Sequence, residues 1–459
     1  MDEKPKEPMI ERIAEAPAEV LEKTVEISSK VEHAVVDHGP IKTTRDFWHK
    51  LGPGLTTGAA DDDPSGITTY SQTGAQYGFG LLWLAAFTFP LMAIVQEMCA
   101  RIGMVTGQGL AANIRHHFPK SIIYICAVLL FAANTFNIGA DLGAMAQATQ
   151  LLAPKASFGL LVVGFTVLCL LMQVFLSYAT YAKYLKWMAL VLFAYVFSAI
   201  AVGLNWNDVI LHTVKPSLNF SKEQIILICG ILGTTISPYL FFWQTSQEVE
   251  EQILTGHTSI KSRQSEVNDA EIKDMRIDIW SGMFLSNIAM FFIIAACAAT
   301  LFQNGINNIG SAADAAEALR PIAGNGAFWL FAIGILGVGL LGIPVLAGSA
   351  SYAISESMGW RQGLYRKLTS AYAFYGVMII AMLLGLSMNF IGLDPIKVLI
   401  YSAVANGLVA PVILVLIVLI GSNKKIMGSR VNHPVTTFFG WLVTAVMVVA
   451  GLATIYSFF

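Results

Sequence analysis

The chain has 459 residues, of which 55% are hydrophobic and only 13% are charged, and its formal net charge is −2. An ordinary soluble domain carries charge on about a quarter of its residues, so most of this chain is expected to lie in a lipid bilayer. The near-neutral balance excludes the basic surface that a nucleic-acid-binding protein needs.

The first segment, residues 1–45, is hydrophilic and rich in Glu, Lys and Val, and it ends near Asp37-His38-Gly39-Pro40. It lacks the basic start followed by an apolar core that defines a signal peptide. We predict that residues 1–45 form a cytosolic N-terminal tail and that residues 46–459 form one transmembrane domain.

Long apolar runs follow the tail, and about 20 apolar residues cross a bilayer as a helix. The sequence predicts an all-α membrane protein with about eleven spans, named here span 1 to span 11: residues 52–78, 79–102, 121–151, 157–178, 184–204, 224–252, 277–303, 326–355, 369–389, 396–420 and 435–457. Fifteen basic residues lie in one set of loops and five in the alternate set. Because basic residues accumulate on the cytosolic side, we predict a plasma-membrane protein with its N-terminus inside and its C-terminus outside.

Span 1 contains a predicted break in its middle. Asp61, Asp62 and Asp63 precede Pro64, and glycines lie on both sides. Proline removes a helical hydrogen bond and glycine weakens a helix. A broken helix is tolerated in a membrane where it lines a cavity or is buried in protein.

Span 6 has the same character. Gly230, Gly233 and Pro238 interrupt it, and Thr234 and Ser237 supply oxygen atoms. Spans 1 and 6 are equivalent if spans 1–5 and 6–10 form two inverted repeats, a LeuT-like architecture. A pair of interrupted spans at matching positions indicates a transport site between them.

Four groups of residues carry a family resemblance that extends from about Lys50 to the C-terminus: Gly52-Pro53-Gly54, Asp63-Pro64-Ser65-Gly66, Ala100-Arg101-Ile102-Gly103 with Val105-Thr106-Gly107, and Thr234-Thr235-Ile236-Ser237-Pro238-Tyr239. The chain resembles the Nramp family of divalent metal ion transporters, and is most similar to its magnesium-transporting branch. The resemblance implies the 5+5 inverted repeat, with the ion held between the unwound parts of spans 1 and 6 and transported by alternating access.

The resemblance also implies an ion site formed by Asp63, Gly66, Thr234 and Ser237. Gly66 replaces the Asn of the usual Asp-Pro-Gly-Asn motif, and Ser237 replaces the usual Met of span 6. A thioether favours transition metals, whereas carboxylate, hydroxyl, carbonyl and water suit Mg²⁺, Ca²⁺ and Mn²⁺. We therefore expect transport of Mg²⁺ first and of Mn²⁺ as well.

Proton coupling is expected to be weak or absent, because Tyr239 stands at the family's His position in span 6 and a tyrosine pKa is about 10. Asp141 of span 3 is the acid that would restore coupling. Asn137 and Asn406 are candidates for the ion path. Asp61 and Asp62 are interpreted as acids that draw cations into an aqueous vestibule, with a second-ligand role left open.

Two other functions remain as alternatives: a proton-coupled Mn²⁺/Fe²⁺ symporter of the Nramp type, and an amino-acid/cation symporter of the same architecture. Three consecutive aspartates disfavour the second because they repel a substrate carboxylate. The sequence contains no HExxH, GxSxG or phosphate loop, so we expect no enzyme activity and no cofactor. The expected partners are divalent metal ions and the lipid bilayer, with no nucleic acid and no obligate protein partner.

Overall fold

The computed structural model describes residues 47–219, 221–391 and 395–458, so the tail predicted over residues 1–45 lies outside the described residues. The regular secondary structure of the described residues is entirely helical. Eight helices in this part of the chain are long and apolar enough to cross a membrane. Two shorter apolar helices and the broken helix of span 1 account for the remaining predicted spans. The all-α prediction with about eleven spans is confirmed.

The spans have the following helices, in chain order: Pro53–Asp61 with Pro64–Tyr77, Trp83–Thr106, Lys120–Leu152, Phe158–Phe175, Tyr178–Met188 with Phe193–Val202, Lys222–Thr235 with Pro238–Leu254, Asp269–Thr300, Ala312–Met358, Tyr372–Met388, Pro395–Gly421 and Pro434–Phe458. Four short helices that the sequence reading did not predict lie in the connections: Leu110–His117, Trp206–Val214, Ile260–Glu266 and Lys424–Met427. Each has nine residues or fewer, too few to produce the long apolar run by which the spans were recognised.

Both predicted helix breaks are present. In span 1 the first half-helix ends at Asp61, and Asp62 has φ −88° and ψ 46°. In span 6 the first half-helix ends at Thr235, and Ile236 has φ −114° and ψ 56°. In each span a proline, Pro64 or Pro238, begins the second half-helix, where its missing N–H costs nothing because the first helical amides have no intrahelical acceptor.

The N-terminal end of span 1 is anchored by one carboxylate of span 7. Asp278 accepts hydrogen bonds from the backbone amides of Gly52, Gly54 and Leu55, with N···O distances of 2.8, 2.6 and 2.9 Å. A carboxylate at a helix N-terminus pairs with otherwise unsatisfied N–H groups and with the positive end of the helix dipole. The first half-helix of span 1 is thereby fixed against span 7, and the position of the break is set.

Candidate metal-binding site

The two helix breaks border one cavity of about 340 Å³. The cavity extends from buried Asp63 at the break of span 1 to Glu223 and Asn308, which are exposed at one end of the helix bundle. Its walls come from spans 1, 3, 6, 10 and 11. Six of the ten residues singled out from the sequence line it: Asp63, Asn137, Thr234, Ser237, Tyr239 and Asn406.

Asp63 is the N-cap of the second half-helix of span 1. Its Oδ1 accepts hydrogen bonds from the Ser65 hydroxyl at 2.6 Å and from the Gly66 amide at 2.9 Å. These bonds fix the carboxylate at the cavity wall with only 2% of the residue exposed. Among the ion pairs of the described residues, none involves Asp63, and a buried carboxylate without a cationic side chain is suited to a metal ion.

Ser237 lies at the break of span 6 and its hydroxyl is turned toward the preceding turn. Its Oγ is 2.7 Å from the carbonyl oxygens of both Gly233 and Thr234. The single hydroxyl proton is therefore used by the backbone, and the oxygen lone pairs are available to a cation. Thr234 also lines the cavity, so the two span 6 residues predicted as ligands lie on the same wall.

Tyr239 connects the two broken helices. Its hydroxyl donates a hydrogen bond of 2.9 Å to the carbonyl oxygen of Ala60, in the last turn of the first half-helix of span 1. Its own carbonyl accepts a 2.6 Å bond from the Ser349 hydroxyl of span 8. The residue at the family's His position is thus a buried structural link between spans 1, 6 and 8.

Two other predicted residues lie next to the cavity without lining it. Gly66 contributes its backbone amide to Asp63, and a side chain added at Gly66 would point to the Asp61 carbonyl and the Tyr70 hydroxyl, 3.2 and 3.5 Å from its Cβ. Asp141 is fully buried in span 3, close to the Asp63 carboxylate and to the backbone amide of Ser65.

The structure does not place Asp61 and Asp62 on the cavity wall, where the vestibule interpretation would have them. Their exposures are 1% and 0%, and neither lines the cavity. The reason is the helix end: the chain leaves helical geometry at Asp62, so the three consecutive aspartates do not share a direction. Asp61 instead accepts a 3.2 Å hydrogen bond from Ser286 of span 7.

Residues 54–457 match the protein family described as natural resistance-associated macrophage protein-like, or Nramp. The chain belongs to the Nramp family. It is 27% identical over 405 residues to a divalent metal cation transporter MntH of Deinococcus radiodurans, covering 87% of each chain. It is 25% identical over 402 residues to a protein of the same name from Klebsiella pneumoniae, covering 87% of this chain and 91% of that one.

This Nramp protein also shares its fold with a solved structure. The manganese transporter of Eremococcus coleocola superposes with a TM-score of 0.65 at 18% identity, covering 91% of this chain and 88% of that one. The family resemblance and the transporter fold predicted from the sequence are confirmed. The relatives are transporters and not enzymes.

One wall of the Nramp cavity went unrecognised in the sequence. Thr68, Thr69, Gln72 and Gln76 line it above Asp63, together with Ser65. Their spacing of three and four residues puts them on one face of the second half-helix of span 1. That periodicity is visible in the sequence and indicates a polar face directed into a cavity.

The Nramp site contains a single carboxylate at its deep end. Among the described residues, no three His, Cys, Asp or Glu side chains lie close enough together to hold a metal ion. The remaining polar residues around Asp63 supply hydroxyl and amide groups: Ser65, Asn137, Thr234 and Ser237. The polar groups nearest Asp63 thus include oxygen donors of the kind that hard cations prefer.

Proposed function

We propose that this Nramp protein carries divalent metal cations across the membrane, Mg²⁺ first and Mn²⁺ as well, by alternating access. The ion binds between the breaks of spans 1 and 6, with Asp63 as its principal ligand. The relatives named divalent metal cation transporters support the substrate class. The assignment of Mg²⁺ rests on the donor atoms around Asp63.

The proposal is supported by three features of the cavity: one carboxylate, neutral oxygen atoms, and enough room for water molecules that stay bound to the ion. Mg²⁺ loses its water reluctantly and is usually bound through one or two carboxylates with several waters retained. A cavity of about 340 Å³, with Asp63 at its deep end, has room for those waters. The Thr and Gln side chains of span 1 offer them hydrogen-bond partners.

Neither of the two sulfur-containing residues that line the cavity lies at a helix break, where the ion would bind. Cys229 lines the cavity wall, but it lies eight residues before Ser237 and its thiol donates a 2.9 Å hydrogen bond to the carbonyl of Ala450. Eight helical residues correspond to about 12 Å along span 6. Met447 is one turn from Ala450 on span 11. Cys229 and Met447 thus both lie on the cavity wall where spans 6 and 11 meet.

The cavity defines a direction of uptake if the N-terminus is cytosolic, as the basic loops predict. The mouth beside Glu223 and Asn308 then opens to the outside of the plasma membrane. An inside-negative potential favours entry by roughly 2.3 kcal/mol per charge per 100 mV, and by twice that for a divalent ion. Passive uptake needs no further coupled ion.

Substituting Ser237 with Met is expected to change the ion preference from Mg²⁺ toward Mn²⁺. A thioether at the break adds a soft ligand that Mn²⁺ accepts and Mg²⁺ does not. The measurement is Mn²⁺ flux into proteoliposomes with increasing Mg²⁺, which should inhibit Ser237→Met less than the wild type. Ser237→Ala is the matched control, because it removes the oxygen without adding sulfur and should weaken both ions. A wild type that ignores millimolar Mg²⁺ contradicts the proposal.

Metal flux is expected to proceed without proton flux. The Tyr239 hydroxyl keeps its proton and donates a hydrogen bond to the Ala60 carbonyl oxygen, so we expect no proton relay at the family's His position in span 6. An internal pH dye in proteoliposomes that take up Mg²⁺ from outside should report no acidification that scales with transport. Acidification that follows Mg²⁺ flux and disappears in Asp141→Asn would instead support the proton-coupled alternative. Asp141 is the residue to substitute because it is a buried acid close to Asp63.

A further inference from the structure

Spans 6 and 8 are joined by two buried acidic side chains at the end of the helix bundle opposite the cavity mouth. Glu223 and Asn308 mark the mouth, at the N-terminal ends of these two spans. Glu250 and Glu356 lie near the C-terminal ends of the same spans. Both are buried, with 2% and 3% of the residue exposed. The end that contains them is the one that the basic loops predict to be cytosolic.

Each of the two acids accepts a hydrogen bond from a hydroxyl group of the other span. The Tyr352 hydroxyl of span 8 donates to Oε1 of Glu250 at 2.5 Å, and the Ser246 hydroxyl of span 6 donates to Oε1 of Glu356 at 3.1 Å. Ser246 and Glu250 are one helical turn apart, and so are Tyr352 and Glu356. Each span therefore supplies one hydroxyl and one carboxylate to a reciprocal pair of bonds, named here the span 6–8 latch.

Backbone amides of two connecting segments bind the same carboxylates. Glu250 accepts hydrogen bonds from the amides of Leu364 and Tyr365, at 2.7 and 3.1 Å, in the loop after span 8. Glu356 accepts one of 3.1 Å from the amide of Ala112, in the first turn of the short helix between spans 2 and 3. The latch thus holds two connections against spans 6 and 8, and none of its four residues lines the cavity.

The latch favours one of the two open states that alternating access requires. Glu250 and Glu356 act only as acceptors in these bonds, which is the pattern of ionised carboxylates. Hydrogen bonds to a buried charge are strong, and breaking them leaves the charge without a partner. Separating spans 6 and 8 at this end would break both hydroxyl bonds, whereas the cavity is open at the other end with both bonds formed. The bonds therefore stabilise the state that is open at the mouth.

We propose that the span 6–8 latch sets the balance between the two directions of opening, and that its release is the step by which the metal site becomes accessible from the cytosolic end. Its four members are positioning residues, because none of them lines the cavity in which the ion would bind. The inference rests on the alternating access proposed above, but not on the identity of the ion or on Asp63 as its ligand.

Cys229 is a native reporter of the opening, since it lines the cavity and no other cysteine of the described residues does. The test measures how fast a water-soluble thiol reagent labels Cys229 in the purified full-length protein, without divalent ions. Tyr352→Phe and Ser246→Ala each remove one latch hydroxyl and should slow the labelling several-fold, with a larger effect in the double variant. Cys229→Ser gives the background rate, and Gln76→Cys in that variant reports the same opening from span 1. Cavity cysteines that stay unlabelled in the otherwise wild-type protein would overturn the proposal.

Tyr375→Phe and Ser351→Ala are the matched controls, because each makes the same substitution in the same region without touching the latch. Their buried hydroxyls donate 2.7 Å bonds to the backbone carbonyls of Arg366 and Phe374, and neither bond reaches span 6. The controls should lose as much Tm as the latch variants and keep the wild-type labelling rate. Latch variants that label as fast as the controls would overturn the proposal. Slower labelling in the latch variants supports it even if the wild type fails to transport Mg²⁺, a failure that would reject only the function proposed for the metal site.

Discussion

Asp63→Asn is expected to reduce Mg²⁺ uptake to the level of protein-free liposomes. Asn removes the one negative charge at the deep end of the cavity, while its side-chain oxygen still accepts the amide hydrogen bond from Gly66 that caps the second half-helix. Asn and Asp are equally good N-caps, so folding should be retained. The measurement is Mg²⁺ flux in proteoliposomes, with the Tm of the purified variant measured beside it.

Ser65→Ala provides the control for this result. It removes the 2.6 Å hydrogen bond that positions Oδ1 of Asp63 but leaves the charge. The loss should be about 1 kcal/mol, roughly fivefold in apparent affinity. Normal flux in a correctly folded Asp63→Asn protein would remove Asp63 from the transport site. A loss as complete in Ser65→Ala as in Asp63→Asn would mean that geometry matters more than charge.

Gly58→Ala is expected to destabilise the protein more than any other alanine substitution of similar size in span 1. Gly54 and Gly58 face span 7 at a spacing of four residues, the small-residue pattern that lets two membrane helices approach closely. A Cβ on Gly58 would collide with the backbone carbonyl of Gly282, which cannot move aside as a flexible side chain does. The cost should be about 3 kcal/mol, the upper range for overpacking, read as a lowered Tm with reduced flux.

Gly376→Ala is the matched control for Gly58→Ala. Gly376 lies inside the helix Tyr372–Met388, and a Cβ added there meets no atom within 4 Å. Alanine in a helix interior is favoured over glycine by roughly 0.5–1 kcal/mol, so this variant should be neutral or slightly more stable. Equal Tm values for the two variants would show that spans 1 and 7 separate without cost.

The helix breaks and the number of spans could be predicted from the sequence because their causes are local. Pro64 and Pro238 lack the amide that a continuous helix needs, and each begins a new half-helix where predicted. The number of spans follows from the apolar runs, because about 20 apolar residues cross a bilayer as a helix. The short connecting helices could not be predicted in this way, because a helix of four to nine residues needs packing against its neighbours to be stable.

The membrane class, the family, the two breaks and Asp63 as the acid beside the first break are therefore evident from the amino-acid sequence alone. The directions of three consecutive aspartates depend on tertiary packing. After the helix ends at Asp61, the side-chain directions follow the backbone angles of Asp62 and Asp63. Packing sets those angles: Ser286 of span 7 binds Asp61, and Gly342 of span 8 leaves space for Asp63, whose Cβ would lie 2.9 Å from a Cβ at that position. No local pattern contains these contacts, because their partners lie more than 200 residues away along the chain.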